Sequence, residues 1–319
     1  MIMIINRTPF RISFFGGGTD YPAWFKDHSG AVLATTIDKY CYITARYLPP
    51  FFEHRSRIIY SKMEHVTGID EIDHPAVRET LRFLDIHKGV EIHHDGDLPA
   101  RTGLGSSSSF TVGLLNVLGA LKGETRTKDQ LAREAIHIEQ DMIRENVGCQ
   151  DQVLAAHGGF MHIEFGGEGH LRSRRVEMPD ANLARLQEHM MIFFTGVSRT
   201  ASEIAAHQVA NIPRRMKELA ALQAMVGAAL KCLDAADFRG FGKLLDESWK
   251  IKRSLSDKIS TADIDAIYAR AMQAGALGGK LLGAGGGGFV LIYAEPDKKQ
   301  AVRKALQAFL EIPFKFETQ

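Results

Sequence analysis

The first hundred residues alternate short apolar, β-branched segments with turn residues, and predict strands at 1–6, 11–14, 31–36, 40–47, 57–60 and 89–93. A helical pattern interrupts them near 76–84. Longer 3.6-residue periods follow and predict helices at 106–121 and 127–146. The second opens on Thr127 and Gln130 in capping-box spacing, then places Leu131, Ala135, Ile138 and Met142 on one face. Gly148 interrupts it. A short helix at 149–157 ends in Gly158-Gly159 and feeds a strand at 160–165. After a polar stretch at 166–185, a strand is predicted at 189–194 and a mostly helical region at 198–273, carrying Leu219, Leu222, Val226 and Leu230. The C-terminus reads as strand and glycine turn at 278–288, strand at 289–294, helix at 298–310 and strand at 314–317. This order predicts an α+β protein of two domains, 1–185 and 186–319, with the boundary between about 165 and 195.

Composition narrows the class. The chain has 319 residues, enough for about two domains with cores of their own. With 39 basic against 38 acidic side chains the formal charge is +1, so no polyanion-binding field is expected and nucleic acid is a poor partner. No run approaches the roughly 20 apolar residues that span a bilayer. The N-terminus enters a strand pattern without a signal-peptide layout, and a cytoplasmic protein with no membrane partner is expected. Cys41, Cys149 and Cys232 are few, odd in number and widely spaced, which suits reduced thiols and predicts no structural metal.

Three glycine loops carry the candidate chemistry. In the first, Arg11 lies on a strand that runs into Gly16-Gly17-Gly18-Thr19-Asp20, a convergence suited to a polyhydroxyl ligand. The same residues could be a hairpin turn with Asp20 capping a helix at 21–27. The second is Leu98-Pro99-Ala100-Arg101-Thr102-Gly103-Leu104-Gly105-Ser106-Ser107-Ser108-Ser109, placed at the start of an apolar helix. Glycines let backbone amides approach an anion, and a helix N-terminus adds unpaired N–H groups and partial positive charge. No Gly-Lys-Ser/Thr tripeptide occurs, so this is not a Walker A loop, although a serine hydroxyl can still ligate Mg²⁺. The third is Gly283-Ala284-Gly285-Gly286-Gly287-Gly288. Its spacing satisfies the dinucleotide fingerprint, yet a strand follows where that motif needs a helix. A protein-kinase reading fails too: there is no His-Arg-Asp tripeptide, and Asp237-Phe238-Arg239 lacks the activation-loop glycine.

In order, the three loops resemble the three signature motifs of the GHMP small-molecule kinases, from Arg7 to Phe289. Galactokinase-type sequences carry Glu-His where this chain has Gly17-Gly18, which argues against galactose. The Thr-Pro-x-Arg and Gly-Gly-Gly-Thr-Asp forms look most like the bacterial D-glycero-D-manno-heptose 7-phosphate kinase branch, which phosphorylates the anomeric hydroxyl. The resemblance implies an N-terminal domain like ribosomal protein S5 domain 2, a ferredoxin-like C-terminal domain and an active site between them. It also implies ATP and Mg²⁺ as cofactors, a sugar or sugar phosphate as acceptor, and leaves a homodimer open.

By the same resemblance, Arg101, Thr102, Gly103, Leu104, Gly105, Ser106, Ser107 and Ser108 would hold the ATP phosphates, and Ser107 with Glu139 would ligate the metal. Asp151 would be the base or orienting group and Arg11 its cationic partner. Gly16, Gly17, Gly18, Thr19, Asp20, Gly285 and Gly286 would line the sugar site. Taken alone, Glu139 reads as a solvated helix charge and Asp151 as a capping acid. Arg199 is the first candidate for a remote substrate phosphate, with Arg46, Arg55, Arg57 and Lys62 behind it. Competing readings are a neutral-sugar kinase of fucose or hexose type, a catalytically silent sugar or ATP sensor, and, further off, a nicotinamide-dependent oxidoreductase.

Overall fold

Strand β1 (Met3–Phe15) runs unbroken through Pro9, where the sequence predicts a gap. It pairs only with β2 (Gly30–Tyr47), so the missing Pro9 N–H costs no ladder bond, and a register shift between Pro9 and Phe10 absorbs the irregularity. Between them lies the short helix α1 (Pro22–Phe25). The computed structural model describes residues 2–196 and 201–317.

The long β2 organises a seven-stranded sheet. β1 pairs along one edge, while β5 (Val90–Gly96) and β6 (Phe160–Phe165) share the other. β3 (Ser56–Ile59) and β4 (Met63–Val66) extend the sheet beyond β5, and β7 (Leu171–Arg175) extends it beyond β6. β4 and β7 escape the sequence reading because β4 is four residues with a polar centre and β7 is mostly charged. Helix α2 (Pro75–Phe83) precedes β5, and α3 (Ser106–Lys122) lies across β1 and β2. α4 (Lys128–His137) has the predicted Thr127/Gln130 capping box but stops well short of 146. A π-helical turn at 138–142 follows, with Ile143 N–H donating to Ile138 C=O at 2.9 Å, and α5 (Gln150–His157) then begins.

α6 (Asp180–Glu188) begins within the stretch read only as polar, and the boundary drawn at 185 falls within it. The second sheet has order β11-β8-β10-β9, from β8 (Met190–Phe194), β9 (Ala276–Leu281), β10 (Phe289–Ala294) and β11 (Leu310–Ile312). α7 (Ala201–Asn211), α8 (Met216–Asp234), α9 (Phe238–Ser254) and α10 (Ala262–Gln273) intervene after β8, and α11 (Lys299–Ala305) after β10. Antiparallel pairing in this order is the ferredoxin-like arrangement expected. The last strand forms at 310–312 rather than 314–317. Residues 315–317 instead return to the first sheet, where Glu317 N–H donates to Thr36 C=O at 2.9 Å.

Apolar packing joins the two sheets. The Phe14 ring lies 5.4 Å from Phe160 of the same sheet, 5.7 Å from Phe241 on the helix that packs against the second sheet and 6.3 Å from Phe316 of the C-terminal return, and Phe241 in turn lies 5.8 Å from Tyr293 of β10. All three cysteines are free thiols, and no described helix is long and apolar enough to cross a membrane.

Candidate active site

The three glycine loops meet at one cleft. Gly103 has φ +86°, and a β-carbon there would sit 2.3 Å from the Leu282 carbonyl oxygen, so only glycine lets the second loop lie against the third. Phe289 N–H donating to Thr102 C=O at 3.2 Å ties them further. Gly105, in the left-handed region at φ +76°, turns the chain into α3, whose first-turn serines line the cleft.

Arg11, near the cleft end of β1, reaches across to Asp151 in the first turn of α5. Its Nε and Nη2 donate to the two carboxylate oxygens, each at 2.7 Å, and Nη1 donates to Gly103 C=O at 2.6 Å. Such a bidentate fork fixes the carboxylate's plane as well as its position. Arg11 is buried, whereas Asp151 keeps a partly open side facing the cleft.

Glu139 sits on the π-helical turn, only 1% exposed. The turn sets one extra residue into the helix, a distortion frequent at functional sites. Its Oε2 accepts from Ser108 Oγ at 2.9 Å and from Gln152 Nε2 at 2.5 Å, and Oε1 has no hydrogen-bond partner among the described residues. Burial, opposed by the hydrogen bonds from its neighbours, pushes its carboxyl up to about 7. The hydroxyl beside Glu139 is therefore that of Ser108, one residue beyond the serine chosen from the sequence; Ser107 is exposed on the first turn of α3. A carboxylate oxygen without a partner next to serine hydroxyls is a hard, all-oxygen donor set. It fits a divalent cation of the Mg²⁺ type, which takes few protein ligands and keeps the rest for phosphates and water.

Asp20 does not cap α1, whose preceding residue is Tyr21. It is buried, accepting from Gly18 N–H at 3.0 Å and Gln150 Nε2 at 2.9 Å, and burial raises its carboxyl above the usual range. Gly17, Gly18, Asp20, Arg101, Gly103, Gly105 and Ser106 through Ser108 line the cleft with Arg11 and Asp151. Other predicted site residues serve the framework. Thr19 donates to Gly16 C=O at 2.8 Å, Thr102 donates to Pro99 C=O at 2.7 Å, and the Leu104 carbonyl accepts from Arg11 N–H at 2.9 Å. Gly285 packs against Ile259, and Gly286 borders a different cavity, so Gly283 and Ala284 form this wall. Arg199 lies outside the described residues. Arg46 and Arg57 pair with Glu91, and neither they nor Arg55 nor Lys62 lines the cleft.

Sequence reasoning missed Gln150, Gln152 and Lys252. The two glutamines flank Asp151 in the run Gly148-Cys149-Gln150-Asp151-Gln152 but carry no charge to draw notice. Lys252 had one signal: it shares the buried face of α9 with Leu245 and Trp249, where a lysine is out of place.

The sequence model for the GHMP kinases N terminal domain matches residues 73–159, and that for the GHMP kinases C terminal matches 229–312, together more than half of the chain. The chain belongs to the GHMP kinase family and is a phosphotransferase with an alcohol acceptor. It is 28% identical to the D-glycero-alpha-D-manno-heptose 7-phosphate kinase of Campylobacter jejuni, over 96% of this chain and 94% of that protein. It is 24% identical to the galactokinase of Pyrococcus furiosus, over 96% and 93%. A crystal structure titled as a D-glycero-D-manno-heptose 1-phosphate kinase from Bacteriodes thetaiotaomicron shares the fold, with TM-score 0.82, 23% identity and coverage of 100% and 97%.

Proposed function

We propose that this chain is an ATP-dependent sugar kinase that transfers the γ-phosphoryl group to the anomeric hydroxyl of D-glycero-D-manno-heptose 7-phosphate. The observation that carries the reading is the two-pronged Arg11–Asp151 pair set beside the glycine-serine loop. Phosphoryl transfer asks a protein chiefly for positioning and charge neutralisation. Asp151 takes the proton of the acceptor hydroxyl, whose oxygen bonds to the γ-phosphorus as the bond to the β-phosphate oxygen breaks and ADP leaves. Arg11 holds the Asp151 carboxylate in place and offers its remaining N–H groups to the transferring phosphoryl. The amides and hydroxyls of 103–108 cradle the triphosphate. Glu139 and Ser108, with Ser107 beside them, would hold Mg²⁺, which when bound neutralises triphosphate charge. Full-length similarity to the Campylobacter protein supports the heptose phosphate as acceptor. The reading carries a two-domain division near residue 185 and a cytoplasmic location, where ATP is plentiful.

A neutral sugar is the second reading. It is favoured by the placement of Arg46 and Arg57, which are tied to Glu91 instead of facing the cleft as a remote-phosphate reader would. A panel of free and phosphorylated sugars with ATP, with the product position read by NMR, separates the two. The heptose 7-phosphate is expected to exceed the free heptose by about 100-fold or more in kcat/KM, since charge-assisted contacts to a phosphate are strong. Equal rates would leave the neutral-sugar reading, and no turnover with any sugar would favour a silent sensor.

A further inference from the structure

Three polar side chains from three elements converge over Gly17 on the wall of the cleft. A β-carbon on Gly17 would lie 3.8 Å from Ser13 Oγ, 3.9 Å from Lys252 Nζ and 4.0 Å from Gln150 Nε2. The glycine leaves that space open, and all three residues line the cleft. Each is more than nine-tenths buried: Ser13 is 5% exposed, Lys252 7% and Gln150 8%. Among the described residues, Ser13 Oγ and Gln150 Oε1 have no hydrogen-bond partner. Lys252 donates to the Gly283 carbonyl at 2.6 Å, one acceptor for an ammonium with three N–H groups. Buried polar atoms without partners destabilise a fold, and their clustering at one place in a cleft calls for a ligand that supplies the missing donors and acceptors.

We propose that Ser13, Gln150 and Lys252 form the acceptor-binding subsite, with Lys252 donating to a sugar oxygen and Ser13 Oγ and Gln150 Oε1 accepting from neighbouring hydroxyls. This rests on the sugar-kinase reading above. A polyol matches the set because each hydroxyl can both donate and accept. The position is also right for the chemistry, since Gln150 immediately precedes Asp151 and its amide holds Asp20. The ammonium is flanked by Arg11 from β1, Asp20 from the first loop, Asp151 from α5 and Lys280 from β9. Burial first, and then Arg11, bring Lys252 down to about 8, against the opposing pull of Asp20 and Asp151. Acceptor binding is therefore expected to weaken as the pH rises through about 8 and the ammonium is lost.

Steady-state kinetics on the full chain test this, using the acceptor that the sugar panel returns. Lys252→Met is expected to raise the acceptor KM by about 10- to 100-fold while the ATP KM stays within about twofold. Lys252→Arg should recover part of the affinity and abolish the alkaline rise in acceptor KM. Should Lys252→Met fail to fold, Ser13→Ala removes one hydroxyl only, and a rise of about threefold or more in acceptor KM is expected. A lysine that merely anchors Gly283 would change melting temperature and ATP KM and leave the acceptor's pH profile intact, which overturns the proposal. A panel that returns no acceptor overturns the kinase reading as well; turnover with unchanged acceptor KM in the variants overturns the subsite alone.

Discussion

Asp151 and Glu139 are two carboxylates beside the same glycine-serine loop, and the protein treats them in opposite ways. Asp151 meets a guanidinium with both oxygens at 2.7 Å and keeps one side open to the cleft. Glu139 is buried among hydroxyl and amide groups with one oxygen unpaired, and its carboxyl is pushed up to about 7. One charge is balanced by the chain itself. The other has no counter-charge beside it, which is how two identical functional groups come to have different electrostatics. An arginine fixes a base in position; an unbalanced carboxylate gains affinity for an incoming cation at a cost to the empty protein.

The largest way to break this comparison is Asp151→Asn. It removes the proposed base, and turnover should fall by about a thousandfold with ATP affinity within about threefold, measured by single-turnover kinetics and nucleotide titration. Near-normal turnover would take Asp151 out of the mechanism. Glu139→Gln should split activity from stability, because the neutral amide relieves a buried charge. The folded carboxyl titrates near 7 against an ordinary 4.5, so its contribution is full below about 4.5 and is lost as pH rises through 7. Wild-type stability should therefore drop by about 3 kcal/mol between pH 4.5 and 8 from this group, and Glu139→Gln should flatten that slope while lowering turnover. Urea melts at pH 5 and pH 8 decide it, and an unchanged slope would mean that Glu139 is not the strained group.

Gly103→Ala tests the contact that brings both carboxylates to one loop. With φ at +86° and the Leu282 oxygen 2.3 Å from the new methyl, it should lose roughly 2 kcal/mol or more in thermal or urea unfolding. The smallest effect sharpens the Glu139 side. Ser108→Ala deletes a buried bond to Glu139 and should cost about 1 kcal/mol, whereas the exposed Ser107→Ala should stay within about 0.5 kcal/mol. Equal losses would erase the distinction between the two serines.

Much of this was legible in the chain. Arg11, Asp151 and the 103–108 loop were tied to a common site by the family resemblance that their motifs carry, and most apolar strands and helices fell near their predicted places. The misses share a cause. β4 is only four residues long with two polar ones at its centre and β7 is mostly charged, so a hydrophobic pattern passes over them, and the helix from 128 gives way to a π-turn that no local propensity marks. Ser107 and Ser108 are indistinguishable in a run of four serines; only the rotation of α3 against the π-turn points Ser108 at Glu139. Lys252 lies just over a hundred residues from Asp151 and belongs to the other sheet's helices, so nothing local ties them.

The sequence by itself determined the identity of the glycine loops, the helix start that follows the second of them and the charged residues available for chemistry, because these depend on near neighbours along the chain. Tertiary structure alone decided which of those residues meet. It joined Arg11 to Asp151 across 140 positions, buried Glu139 without a counter-charge and brought Lys252 over Gly17 beside Ser13 and Gln150. Burial and pairing set the energy of a charge, and both are properties of the packed chain rather than of any segment of it.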